Sequence, residues 1–178
     1  MPTYKITVAI VLSIVLLTTS CAPQQELTQD ASDKQKIIYD VIRLSLTDQK
    51  MPAYGDLKHE RTVYVYNRYI NFMNPAPDDK KEFINEVDIP KKVDGHPVQL
   101  ISKENMIKHA NATGVHEFML DLGSIQIAGD TASIGIDGTY VSPDAVGGHK
   151  MSGGGGIARY VKEDGVWTFK GFTQSWIE

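Results

Sequence analysis

Residues 153–156 are four consecutive glycines, set between "GHKMS" and "IARYV" and ahead of the dipeptide Asp164-Gly165. A phosphate-cradling loop of the Walker kind needs a lysine and a Ser/Thr after its last glycine, then a helix whose N-terminus faces the anion. Here Ile157, Ala158 and Arg159 follow, and neither Lys150 nor Arg159 has the required spacing. The dinucleotide fingerprint fails as well, because no strand–turn–helix unit surrounds the glycines. The run reads as sheet. A two-residue hairpin at Asp164-Gly165 sets Lys162 opposite Trp167, Tyr160 opposite Phe169, Ile157 opposite Phe172 and Gly153 opposite Trp176. Large rings then face positions that lack side chains. Glycine in a strand permits a bend, a bulge or a ring lying over bare backbone, so Gly153–Gly156 is expected to be where the sheet coils and the tryptophan packs.

A second hairpin is expected around Gly129-Asp130, between "VHEFMLDLGSIQI" and "TASIGIDGTYV". Its register gives one apolar face with Met119, Ile125, Ile127, Ala132, Ile134, Ile136 and Tyr140. Asp121 falls on that face too. A carboxylate among apolar neighbours has a raised pKa and is suited to acid–base work, which makes Asp121 and Tyr140 candidate ligand-binding residues of a helix–sheet pocket. A single bulge near Gly123 would turn Asp121 to the other side.

The first half of the chain is helix-led. Ser32 with Gln35 forms a capping box, and Ile37, Ile38, Val41, Ile42 and Leu46 make a helical stripe. "RTVYVYNRY" (61–69) reads as a strand with one buried and one wet face. "NPAPDDKKEFINEV" offers Asp78 or Asp79 as the cap of a short helix, and "DIPKKVDGHPVQL" is loop leading into a short strand. "SKENMIKHA" is a helix capped by Ser102 and ended near Gly114. The fold class is therefore α+β, with helices covering one face of a curved, mainly antiparallel sheet that ends in a four-strand meander. This order of elements is similar to the cystatin-like and nuclear-transport-factor-like roll folds.

The five histidines, at 59, 96, 109, 116 and 149, show no ligand spacing, and "HEFML" at 116–120 lacks the second histidine of a zinc-protease helix. No metal or other cofactor is expected. The base–aromatic alternation of "KHERTVYVYNRYINF" (58–72) resembles a nucleic-acid platform only on the surface. Its tyrosines and the loop "VSPDAVGGHK" (141–150) are instead candidate recognition surfaces for glycan or protein.

The N-terminus supplies the location. "MPTYKITVAIVLSIVLLTTSCAPQQE" places Lys5 before a largely apolar run from Ile6 to Leu17, then small polar residues and Cys21, the only cysteine of the chain. As a helix that run reaches roughly 18 Å, well short of the ~30 Å hydrocarbon core, which is the layout of a secretory signal peptide. It resembles a bacterial lipoprotein precursor, in which the residue after cleavage is a diacylglyceryl-cysteine. Thr19 and Ser20 fit that pattern, whereas Thr18 stands where leucine is expected and Leu17 lies one residue further back. An ordinary signal peptidase cutting after Ser20, or at Ser20-Cys21-Ala22 ahead of Pro23, and a chance cysteine in an uncleaved anchor are the alternatives. "APQQELTQDAS" (22–32) then acts as a polar, flexible tether, and residues 33–178 form one α+β domain. The C-terminal stretch from about residue 98, with "SGGG" and Asp-Gly-x-Trp, also looks like small uncharacterised lipoproteins of Gram-negative bacteria.

Loss of residues 1–20 removes Lys5 alone, leaving 17 basic against 22 acidic side chains and a net charge of −5. That balance argues against nucleic acid as a partner. The expectation is a lipid-anchored envelope protein, held in the membrane through Cys21, that acts as a non-catalytic binding module for an envelope protein or glycan. The resemblance implies the outer membrane, since Ala22 is not the aspartate that retains such proteins at the inner membrane. The runner-up is a roll-fold enzyme or small-ligand binder using Asp121 and Tyr140. Metabolic labelling with an acyl chain should mark the wild-type protein and not Cys21→Ala; equal labelling of both would remove the lipoprotein reading.

Overall fold

In a computed structural model of the chain, the described residues are 32–51, 57–72, 77, 80–147 and 150–176. Helix α1 spans Asp33–Thr47 and opens on the expected capping box. The Gln35 N–H donates to Ser32 Oγ at 3.2 Å, and the Ser32 N–H donates to Gln35 Oε1 at 2.7 Å. The stripe Ile37, Ile38, Val41, Ile42 and Leu46 is buried, joined by Leu44.

Strand β1 (Val63–Tyr66) is followed by a 3₁₀ turn at Glu86–Asp88, the short β2 (Lys92–Val93) and β3 (His96–Ile101). Helix α2 (Lys103–Thr113) leads into β4 (Glu117–Leu122), β5 (Gln126–Ala128) and β6 (Thr131–Val141), and a 3₁₀ turn at Asp144–Val146 precedes β7 (Lys150–Glu163) and β8 (Val166–Trp176). The sheet order is β2-β3-β1-β4-β6-β7-β8, with β5 also paired to β6. β1 runs parallel to both β3 and β4, and the other pairs are antiparallel. The fold is thus α+β and ends in the antiparallel β6-β7-β8 meander.

Two expectations about the first half are corrected. "DIPKKVDGHPVQL" forms a hairpin rather than a loop, because Asp94 (φ 46°) and Gly95 (φ 87°) take the left-handed conformations of a tight hairpin turn and pair β2 with β3. In place of the helix expected over "NPAPDDKKEFINEV", the described residues show a 3₁₀ residue at Lys80, whose N–H donates to the Pro77 carbonyl at 3.0 Å, and the turn Glu86–Asp88, capped by Asn85. Phe83 bridges Arg68 in antiparallel fashion, which holds that part of the segment extended. Asp78 and Asp79 lie outside the described residues.

The helices lie on both faces of the sheet, not on one. α1 packs on a first face that carries Val65, Leu120, Leu122, Ile134, Ile136 and Tyr160. α2 packs on the second face, where Met106 and Ala110 meet Tyr66, Ile101, Met119 and Val141. β4 has apolar residues in both parities and so is covered on both sides. The wet face expected for β1 is likewise closed, since Val63, Val65 and Tyr66 are all buried.

The β7–β8 hairpin begins in the expected register, Lys162 opposite Trp167 and Tyr160 opposite Phe169. Two bulges in β8, at Lys170 and Thr173, then displace it, so Phe172 faces Ala158 and Trp176 faces Gly155 rather than Gly153. Gly171 sits at φ 110°, a conformation its bulge requires and one that side chains rarely adopt. Tyr160 fills the interior beside Phe169, and burial, reinforced by Asp40, pushes its phenol far above the ordinary range.

The start of α1 is tied to this hairpin by the Lys162 Nζ–Asp33 Oδ2 pair at 2.8 Å. Lys162, then the Trp167 indole, hold the Asp33 carboxyl below its usual range. A depressed carboxylate stabilises the fold above its unfolded pKa and loses that contribution as pH falls through the folded value. Asp33→Asn should therefore flatten the part of the acid unfolding curve below about pH 4, by a small amount because the pair is partly exposed. Ser32→Ala should lower unfolding free energy by about 1 kcal/mol in denaturant titration.

Candidate ligand-binding groove

On the second face α2 covers β3, β1, β4 and the Val141 end of β6; the other end of β6, with β5 and β7, carries an open groove. Its construction begins where three backbones converge. Ile70 follows β1 and forms a parallel bridge with Gly123, its N–H donating to the Leu122 carbonyl at 2.8 Å. The Gly123 N–H donates to the Gly135 carbonyl at 2.8 Å. A Cβ at Gly123 would stand 3.1 Å from the Gly135 nitrogen and 3.3 Å from the Ile70 carbonyl oxygen. Only bare backbone fits there without displacing one of the three segments.

Two rings exploit the neighbouring glycines. The Phe72 ring lies over Gly135, so close that a Cβ there would overlap it. The Trp176 ring lies over Gly155, with Cζ2 2.7 Å from where a Cβ would stand. Phe72 and Trp176 touch at 5.3 Å between centroids, tilted by 43°. On the opposite face Phe172 covers Gly156 in the same way, Cδ1 coming within 2.6 Å of the absent Cβ. The glycine run serves to admit tryptophan and phenylalanine, with Gly155 in the place expected for Gly153.

Beside the Phe72 ring is a hollow of about 270 Å³, lined by Ile70, Ile157, Asn71, Ser124, Gln126 and Ser133 over the Gly123–Gly135 floor. A second hollow of about 340 Å³ shares Gln126, Ser133 and Ile157 with it and extends to Ala128, Thr131, Arg159 and Thr173. Together they make one groove with apolar floor, amide and hydroxyl sides, and Arg159 as the one charged residue among those lining it. Such a mixture suits a partly apolar ligand oriented by a few hydrogen bonds, and a guanidinium is matched to a carboxylate or phosphate.

The sequence candidates are distributed differently. Cys21 lies outside the described residues. Asp121 is buried and accepts a hydrogen bond from Thr139 Oγ1 at 2.7 Å. It stands opposite Asp137 on the second face. Tyr140 stands opposite Phe118 and meets its ring edge-on at 5.1 Å, against the core under α1. The two are on opposite faces, so the expected pocket containing both is not formed. β5 keeps the register set by the Gly129-Asp130 turn, but β4 is displaced by one residue at the Gly123 junction. That displacement also removes Met119 from the expected apolar face.

Three of the histidines have separate local partners. His96 Nδ1 is 2.7 Å from the Glu60 carbonyl oxygen, and His116 Nδ1 is 2.9 Å from Ser142 Oγ. His109 Nε2 lies 3.3 Å from the Tyr64 hydroxyl and 3.6 Å from Glu117 Oε1. Burial, then Glu117 and Glu60, raise the Tyr64 phenol pKa. Among the described residues no group of three or more His, Cys, Asp or Glu is arranged to hold a metal ion. His149 and Gly148 lie outside the described residues, and the preceding Asp144–Val146 turn is held by Asn111, which donates to Asp144 Oδ2 at 2.8 Å.

The chain matches no family model, and no curated protein or solved structure is significantly similar to it. Phe72, Gln126 and Ser133 were not singled out by the sequence; the signal that marks the place is a glycine within a strand, Gly135.

Gly135→Ala should destabilise the protein by about 1–3 kcal/mol through overpacking against Phe72. In a Phe72→Ala background the same change should cost far less. Denaturant unfolding of the two single variants and the double variant measures that coupling; additive costs would contradict the ring-over-backbone packing.

Proposed function

We propose that this protein is a lipid-anchored binding module of the cell envelope, attached through Cys21, and that the second-face groove is its recognition surface. The observation that carries this reading is the groove itself: an apolar floor beside Phe72 and Trp176, flanked by Asn71, Ser124, Gln126 and Ser133, with Arg159 at its far end. Side chains of this kind hold a partner by stacking and hydrogen bonding and need no reacting group. The partner proposed is an envelope protein or glycan.

The geometry also favours recognition on a face over recognition along an edge. β8 is the long edge strand, and its two bulges break the regular row of backbone groups that an added strand would pair with. Among the described residues no helix is long and apolar enough to cross a membrane; the proposed attachment is the lipid on Cys21.

The test is a photo-crosslinking residue placed at Gln126 in living cells, with an identical one at Arg61, outside the groove, as control. A discrete crosslinked product from position 126, lost on adding Arg159→Ala, is the expected result. Equal patterns from both positions would count against the groove.

A further inference from the structure

We infer that the end of the domain where α1 begins is a surface that rests on the lipid bilayer. This deepens the reading above and depends on its anchor at Cys21. The eleven residues from Ala22 to Ser32 reach at most about 40 Å even when fully extended. Whatever surrounds the first turn of α1 is therefore kept close to the membrane.

Three other segments are tied to that turn. Lys162 Nζ bonds Asp33 Oδ2 at 2.8 Å, which brings in the β7–β8 hairpin. Gln35 Nε2 donates to the Val87 carbonyl at 2.6 Å and Lys34 pairs with Asp88 at 2.7 Å, which brings in the Glu86–Asp88 turn. The Lys162 N–H donates to the Asp130 carbonyl at 2.8 Å, which brings in the β5–β6 turn. Each segment carries an exposed aliphatic side chain: Val166 at 65%, Val87 at 67% and Ile127 at 45%.

An exposed aliphatic residue by itself is ordinary. Three, carried by separate segments tied to the first turn of α1, stand at one end of the sheet, Ile127 turned to the first face with Ala132 and Val166 to the second with Glu163, so that this end as a whole offers aliphatic groups to the acyl–headgroup boundary. Asp33, Asp88 and Glu163 at this end are paired with Lys162, Lys34 and Lys170, whereas Asp130, Asp164 and Glu86 stand exposed on the same turns, so the contact inferred is with a lipid surface that carries no net negative charge. The contact can be weak and still be populated, since a short tether gives an effective concentration on the order of millimolar. The groove then starts near the bilayer at Ala128 and Thr131 and runs outward to the Phe72 ring.

Because Cys21 is the only cysteine and carries the lipid, any introduced cysteine is the only free thiol of the anchored protein. Val87→Cys, Ile127→Cys and Val166→Cys are each labelled with a fluorophore, as are Val115→Cys and Val146→Cys, exposed residues at the end of α2 and the turn tied to it. The full-length lipidated proteins are placed in phosphatidylcholine vesicles containing a nitroxide-labelled lipid. Quenching several-fold stronger at 87, 127 and 166 than at 115 and 146 is expected. Equal quenching at all positions, or stronger quenching at 115 and 146, overturns the membrane-facing end while leaving the anchor standing. A protein that does not float with the vesicles and shows no acyl mass on Cys21 overturns the anchor and this inference with it.

Discussion

The second face of the sheet depends on one close approach, where the Ile70 carbonyl, Gly123 and Gly135 meet with no side chain between them. Hydrogen bonds from Ile70 to Leu122 and from Gly123 to Gly135 hold the three segments there. This junction displaces β4 by one residue relative to β5, and so decides which side chains of β4 face which helix. It also delivers the chain after β1 onto the second face, where Phe72 covers Gly135 and touches Trp176. The core under α1, the polar row at Asp121 and Asp137, and the open groove all follow from that register.

Features set by local chemistry were legible in the sequence. The Ser32–Gln35 capping box, the buried stripe of α1, the Ser102 cap and the left-handed Gly114 that ends α2 are each fixed by residues within a turn of one another. So were the hairpin turns at Gly129-Asp130 and Asp164-Gly165 and the first pairs beside them, though not the turn at Asp94-Gly95. What was not legible depends on contacts distant in sequence. The parallel placement of β1 between β3 and β4 buries "VYVY" on both sides, which alternation alone does not reveal. The bulges at Lys170 and Thr173 move Trp176 from Gly153 to Gly155, although the principle that a ring would lie over a glycine was readable. The register of the Gly129-Asp130 turn, continued through Gly123 without a bulge, would set Asp121 and Tyr140 on one face; the displacement at Gly123 separates them.

The two ends and two faces of the molecule then divide the work. α1 closes the first face with an apolar core, and its capped N-terminus, linked to the β7–β8 hairpin by Lys162, is where the proposed tether enters. The second face is left partly open, and the bulged β8 edge disfavours strand addition, which is why that face is the proposed recognition surface. Arg159 is the charged residue in the groove of a protein whose overall balance is acidic. An anionic group on the proposed partner would find its counter-charge in that guanidinium at short range.

The measurement that tests this most directly is hydrogen exchange on the anchored protein, compared between native envelope membranes and purified detergent solution. Slower exchange in native membranes is expected in peptides covering Ile70–Phe72, Ser124–Gln126 and Ile157–Arg159, which together line the groove. Unchanged exchange in those peptides, with protection appearing instead over Val141–Gly147 or along α2, would contradict the groove as the recognition surface.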